Sequence, residues 1–280
     1  RRKIESCNDL PTLPTVVTHI LALANSPKTN AADVGKVIEQ DQALTGKVLR
    51  LVNSAFYGFP GQIKSIPHAV VILGFNKVKN VVITASVFDL SKGRRLNQLN
   101  LPRFWEHSLG CAIAAKVVAK RLGGGLQPDD AFVGGLMHDL GKLIFDLAMP
   151  EEYSQALNAA ATRGVLLLDA EKETLGVQHV QVGAWIAEKW RLPAALKHSL
   201  GSHHAPAQMR EDREMVAAVH LGDIFARALA IGNGGDQRMP TIDMSLRQQY
   251  NLNTAFLDET LDTILAELRR AQEFFELIEK

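Results

Sequence analysis

Cysteine, aromatic side chains and an excess of either charge are all scarce in this sequence. Only Cys7 and Cys111 occur in 280 residues, in no CxxC or knuckle spacing, so a disulfide framework and a cysteine-held structural zinc are both excluded. A reducing cytoplasm is the expected compartment. Lys and Arg number 31 against 30 Asp and Glu, and neither sign gathers into an arm or tail, so nucleic acid is not an expected partner. No uninterrupted apolar run reaches the roughly 18 residues that a bilayer crossing needs, and no membrane association is expected. The chain opens on Arg1-Arg2-Lys3 instead of Met with no apolar run behind it, which reads as a piece of a longer protein and not as a secretory leader. The phosphate loops GxGxxG and GxxxxGK[ST] are missing as well. What is present is apolar surface: 46% of residues are hydrophobic and 22% charged, enough to bury a full core.

Helical periodicity dominates, and no alternating apolar and polar stretch recurs often enough to build a sheet. The expected fold is an all-α helical bundle. Pro14 opens a helix running to about Ser26, and Asn30 and Asp41 read as N-caps of helices Ala31 to Gln40 and Gln42 to Ser54. After the loop from Tyr57 to Gly61, Pro67 opens a helix pair broken near Gly74-Phe75 and ending near Leu90. The polar run Ser91 to Asn100 reads as a linker. Residues 1–95 are then an N-terminal helical lobe, 96–235 a second helical lobe, and 236–280 a C-terminal loop and amphipathic helix. In the second lobe a helix from Pro102 to Leu122 stops at Gly123 to Gly125. One opening at Pro128 carries the run Met137 to Lys142. Further helices cover Glu151 to Arg163, Gln178 to Trp190, Pro193 to Ser202 and Asp212 to Ala230, before a loop from Gly232 to Pro240. The tail spaces Phe256, Leu257, Leu261, Ile264, Leu265, Leu268, Phe274 and Ile278 along one helix side, which fits packing or docking.

His107, His138, Asp139, His179, His203, His204 and Asp223 are metal-ligand types in apolar or glycine-lined helical settings. His107 shares a stripe with Cys111, Ala114 and Val118, and Asp223 shares one with Val219, Ala226 and Ala230. A carboxylate on such a stripe costs several kcal/mol to bury unless a cation or several donors meet it. Gly134 and Gly135, one turn before His138, leave room for another helix. Nitrogen and oxygen ligands without thiolate favour iron, with manganese, zinc, nickel or cobalt as alternatives, and the set exceeds the needs of one tetrahedral ion. Two divalent ions are expected, with Asp139 the better placed acid to bridge them.

His138-Asp139, with His107 upstream and Asp223 downstream, resembles the HD superfamily of metal-dependent phosphohydrolases. Leu10-Pro11-Thr12-Leu13-Pro14, Asp41 to Thr45, Val52 to Tyr57, Ile66 to Gly74, and His179 to Pro193 resemble the HDOD family in particular, over most of residues 5 to 230. The resemblance implies an HD-like lobe beside an N-terminal helical lobe. It places His107, His138, Asp139 and Asp223 at one ion, with Asp139 bridging to a second held by His179, His203 and His204, as in the related HD-GYP phosphodiesterases. Arg103 stands where trinuclear HD-GYP sites have a glutamate, so a third ion is not implied. Lys142 matches the lysine of HDxGK, either as a phosphate contact or as a solvated helix end. Ala205-Pro206-Ala207 follows the histidine pair where glycine-tyrosine-proline would stand, so a cyclic di-GMP phosphodiesterase is not supported.

His19, His68 and His198 read as hydrogen-bonded core residues, and His220 as a core residue or a support for a ligand. Trp185, Trp190 and Cys111 read as packing. Two functions follow from the resemblance. One is a metal-dependent phosphohydrolase on a nucleotide or other phosphoester, in which metal-activated water attacks phosphorus beside Asp139 while Lys142 orients an oxygen. The other is a signalling adaptor, common in a family many of whose members lack the ligands, whose metal is structural or sensory and whose helical surfaces bind a protein partner.

Overall fold

The computed structural model describes residues 4, 10–24, 30–93, 96, 98–272, 274 and 276. Cys7, the opening Arg1-Arg2-Lys3, Ser26 and Ile278 lie outside the described residues. Among those described, every regular element is a helix, as the periodicity requires. The chain divides into two compact units, Pro11–Gly93 with Ala266–Lys280, and Arg1–Leu10 with Arg94–Leu265.

The first of these contains α1 (Thr15–Ala24), α2 (Ala31–Ile38), α3 (Gln42–Val52), α4 (Ile66–Leu73) and α5 (Phe75–Asp89). Its short helices start where the side chains say they should. Asn30 accepts from the N–H of Ala32 and Asp33, and Asp33 returns the bond to the Asn30 N–H, a complete capping box. Asp41 caps α3 through the Leu44 N–H. A single glycine, Gly74 at φ 85°, turns α4 into α5, a conformation closed to most side chains. Helix α5 packs on α1, α3 and α4 and buries Val78, Val81, Val82 and Ile83. His19 and His68 are exposed in this unit; the core role expected for them is not what the fold gives, because each lies on the outward side of its helix.

The second unit is organised on α6 (Leu101–Leu122). It packs against α7 (Pro128–Met137) and α13 (Arg213–Ala228), and small residues allow the close approach. A Cβ on Gly135 would lie 2.8 Å from the Ala112 Cα, and one on Gly222 would lie 2.8 Å from the Cys111 carbonyl oxygen. The role expected of the glycines before His138 is therefore seen, with Gly222 as the matching concession from α13. Helices α8 (Leu140–Ala148) and α11 (His179–Lys189) meet in the same manner. A Cβ on Gly141 would clash with the His179 carbonyl, whose carbon would be 2.7 Å away. Also in the order are α9 (Pro150–Arg163), α10 (Leu167–Leu175), α12 (Ala194–Ser202), a 3-10 turn at Pro206–Gln208, α14 (Met244–Gln249) and α15 (Thr254–Arg270).

Three elements differ from the sequence analysis. The helix expected to run from Pro128 through Lys142 breaks at its chemical centre: α7 ends at Met137, and Asp139 at φ −97°, ψ 10° caps α8. His138 and Asp139 therefore sit at the junction of two helices and not inside one. Helices α10 and α14 lie in stretches to which the sequence analysis assigns no helix; Gly164 and Gly176, both left-handed, bound α10.

Gly135→Ala is expected to lower stability by about 1–3 kcal/mol through overpacking against α6. Thermal unfolding followed by circular dichroism checks this, and an unchanged midpoint would mean the helices separate without penalty.

Candidate metal centre

Each of the sequence-derived ligand candidates lies in the second unit, and the breaks and glycine contacts just described bring them together. His107 comes from the first half of α6, His138 and Asp139 from the α7–α8 break, His179 from the first residue of α11, His203 and His204 from the end of α12, and Asp223 from α13. Ligand atoms of His107, His138 and Asp139 lie within 4.8 Å of one another, and so do those of His179, His203 and His204. Asp139 joins the two groups. Its Oδ2 is 3.3 Å from His138 Nε2 and 3.7 Å from His107 Nε2, while its Oδ1 is 3.4 Å from His179 Nε2 and 3.8 Å from His203 Nε2. Asp223 Oδ1 adds to the first group, 3.1 Å from His107 Nε2 and 3.8 Å from His138 Nε2.

Hydrogen bonds on the far side of each ring fix which nitrogen faces inward. A carbonyl oxygen only accepts, so Nδ1 of His138, 2.6 Å from the Gly135 carbonyl, carries a proton. The same holds for Nδ1 of His203, 3.1 Å from the Ser199 carbonyl. His179 donates Nδ1–H to Glu171 Oε2 at 2.7 Å, and its backbone N–H meets the same oxygen at 2.8 Å. The inward atoms are left without partners: His107 Nε2, His138 Nε2, His203 Nε2 and Asp139 Oδ1 are buried with no hydrogen bond. Buried polar atoms are rarely orphaned, and oriented imidazoles with outer-side acceptors are what divalent ions require. The donor set fits such an ion.

Burial and the neighbouring charges move these groups in different directions. Burial works against ionised Asp139, but His138 and Lys142 overcome it and hold the carboxyl well below the usual range. Asp223 is likewise held down against burial by Arg227 and His107. Burial alone would lower His138, yet the Asp139 carboxylate raises its pKa well above the ordinary histidine value. His107 is lowered, chiefly by burial. His203 and His204 are pushed well below the ordinary value by loss of solvent and by the neighbouring imidazoles.

A family model for the HDOD domain matches residues 10–206. The chain belongs to the HDOD domain family. It is 27% identical over 227 residues to an uncharacterized protein of Treponema pallidum, a match covering 79% of this chain and 43% of that protein. Among solved structures it resembles an HDOD domain protein of unknown function from Geobacter sulfurreducens, with a TM-score of 0.77 and 27% identity over 100% of this chain and 94% of that one. A candidate phosphohydrolase from Shewanella amazonensis has the same fold, with a TM-score of 0.76 and 22% identity over 99% of this chain and 97% of that one. This HDOD chain is thus all-helical and HD-like, and its His and Asp groups can hold a divalent metal. No helix among the described residues is long and apolar enough to cross a membrane.

Two side chains at the HDOD centre, Glu171 and Arg227, were not singled out from sequence. Glu171 on α10 orients His179, as described. Arg227, one turn beyond Asp223, donates Nε–H to Asp223 Oδ1 at 2.7 Å. The cation that the buried Asp223 demanded is therefore present within the chain. Lys142, read as a phosphate contact or a solvated helix end, is fully buried and donates to Asp139 Oδ2 and to the Gly234 carbonyl, both at 2.7 Å. Gly234 lies over the first group, where a Cβ would come within 3.0 Å of His107 Nε2 and 3.2 Å of Asp139 Oδ2. His220 supports the site from behind, donating Nδ1–H to the His203 carbonyl at 2.8 Å. His198 is apart from the site, paired with Asp212 at 2.8 Å.

Glu171→Ala frees the His179 ring and is expected to weaken divalent-metal affinity by about 10–100-fold. Competition against a chromophoric chelator reads this directly, and an affinity equal to wild type would show that the carboxylate does not set the ring.

Proposed function

We propose that this HDOD protein is a metal-dependent phosphohydrolase acting on a nucleotide or other phosphoester within a signalling pathway, using two divalent ions with iron the first expectation. The observation that carries the reading is the inward convergence of orphaned Nε2 atoms on the two oxygens of Asp139, from His107 and His138 toward Oδ2 and from His203 toward the unpartnered Oδ1. His107, His138, Asp139 and Asp223 would hold one ion, and Asp139, His179, His203 and His204 the other. Bound there, the ions would supply Lewis acidity and an activated water at neutral pH.

The chain's own residues prepare that chemistry. Asp139 stays ionised because the Lys142 ammonium sits 2.7 Å from its Oδ2. An ammonium has three donors, so beyond Asp139 and Gly234 one N–H of Lys142 can serve a phosphoryl oxygen. Glu171, the Ser199 carbonyl and the Gly135 carbonyl keep the imidazoles in a ligand tautomer. The loop at Gly234 keeps bulk water from the first group.

A second reading, a binding module whose metal is structural or sensory, is favoured by one observation. His138, Asp139, Lys142 and His203 are each 0% exposed, more enclosed than a substrate-handling site needs.

One experiment separates the two. Protein purified without added metal is assayed for metal content and for hydrolysis of a chromogenic phosphodiester, beside Asp139→Ala. The hydrolase reading expects close to two equivalents of metal and a rate that the substitution reduces to background. Bound metal with no turnover across a broad phosphoester panel overturns it and leaves the binding module.

A further inference from the structure

The two halves of the centre differ in how much positive charge the chain already brings to them. On the His107 side one oxygen of each acid is already held by a cation. Asp139 Oδ2 holds the Lys142 ammonium at 2.7 Å, and Asp223 Oδ1 holds Arg227 Nε at 2.7 Å. Arg227 is fixed there by two more bonds, from Nη1 to Asp236 Oδ1 and to the Arg238 carbonyl, both at 2.7 Å. An ion entering between His107 and Asp223 would face a guanidinium already seated on its carboxylate, with like-charge repulsion that low dielectric strengthens.

The His179 side has no such occupant. Asp139 Oδ1, which faces it, is buried and unpartnered. His179 Nε2 and His204 Nε2 are 3.2 Å apart, close to the separation of about 3.3 Å for two nitrogens on a tetrahedral ion with bonds of 2.0–2.1 Å. Ligand atoms of all three histidines lie within 4.8 Å, and of the three only His204 keeps partial exposure.

Building on the metal-dependent reading above, we infer that the centre loads unequally. His179, His203 and His204 with Asp139 Oδ1 take the first divalent ion, and Arg227 is a resident counter-ion that keeps the Asp223 side weak until it is displaced. Arg227 acts through Asp223 and is a positioning residue. Its displacement by a second ion leaves a guanidinium beside the centre, able to pair with an anionic phosphoester, which links occupancy of the second site to the substrate class.

The test is a manganese(II) titration of the metal-stripped full chain, with free ion read by electron paramagnetic resonance. Wild type should bind one tight equivalent and a second about 10–100-fold weaker. His107→Ala should keep the tight equivalent and His179→Ala should lose it. Arg227→Gln should tighten the second equivalent, whereas Arg227→Lys, which keeps the charge, should behave as wild type. Two equal equivalents in wild type, loss of the tight one in His107→Ala with retention in His179→Ala, or a folded Arg227→Gln with an unaltered second site would each overturn unequal loading while leaving a metal centre intact. If Arg227→Gln does not fold by circular dichroism, the histidine pair decides. No binding to folded wild type would instead bring down the metal-dependent reading together with the inference.

Discussion

Asp139 is a carboxylate with no solvent exposure, and an ionised acid in that position costs several kcal/mol unless it is paired. Lys142, one turn later on α8, provides the pairing at 2.7 Å. Much of the second unit can be understood from this pair. Because Lys142 holds Oδ2, Oδ1 is free to face the opposite group of imidazoles, which makes one carboxylate serve both sides. The break between α7 and α8 turns Asp139 so that its oxygens point to histidines from different helices. Gly141 then lets the start of α11 approach near enough for His179 to join.

Backbone proximity is the second constraint, and it is imposed by missing side chains. Gly135 and Gly222 bring α7 and α13 onto the same stretch of α6 around Cys111 and Ala112, which sets His138 and Asp223 beside His107. Gly234 repeats the device in a loop. The polar bonds that follow are strong because the site is buried, but they form only because these helices come closer than helices bearing larger side chains can. Stability and site geometry therefore depend on the same glycines.

Much of this was legible in the sequence, for identifiable reasons. Asn30 and Asp41 announced their helices because capping is local chemistry. His107, His138, Asp139 and Asp223 stood out as polar residues on apolar stripes, and the glycines before His138 announced a close neighbour. Glu171 was hidden by its surroundings: Asp169, Lys172, Glu173 and Thr174 make α10 look like surface chain, and only the fold shows that Glu171 lies on its buried side with Leu167 and Ala170. The His138-Asp139 break was hidden because both residues are tolerated within a helix. Arg227 was legible in principle. It lies at i+4 from Asp223, a spacing at which oppositely charged side chains meet, and the argument that Asp223 needs a cation leads to it as readily as to a metal.

The loop from Gly232 to Asp236 binds both cations of the first group to the rest of the chain. It is tied at every step: Asn233 N–H to the Arg103 carbonyl at 2.8 Å, Lys142 to the Gly234 carbonyl at 2.7 Å, Arg227 to Asp236 Oδ1 at 2.7 Å, and the Leu167 N–H to Asp236 Oδ2 at 3.0 Å. Moving it breaks bonds to Lys142 and Arg227 together, the same cations that neutralise Asp139 and Asp223. Because each cation also holds a carboxylate, Lys142 on Asp139 and Arg227 on Asp223, the loop and both acids form one hydrogen-bonded network, and a substitution at either cation acts on the loop and on its carboxylate at once.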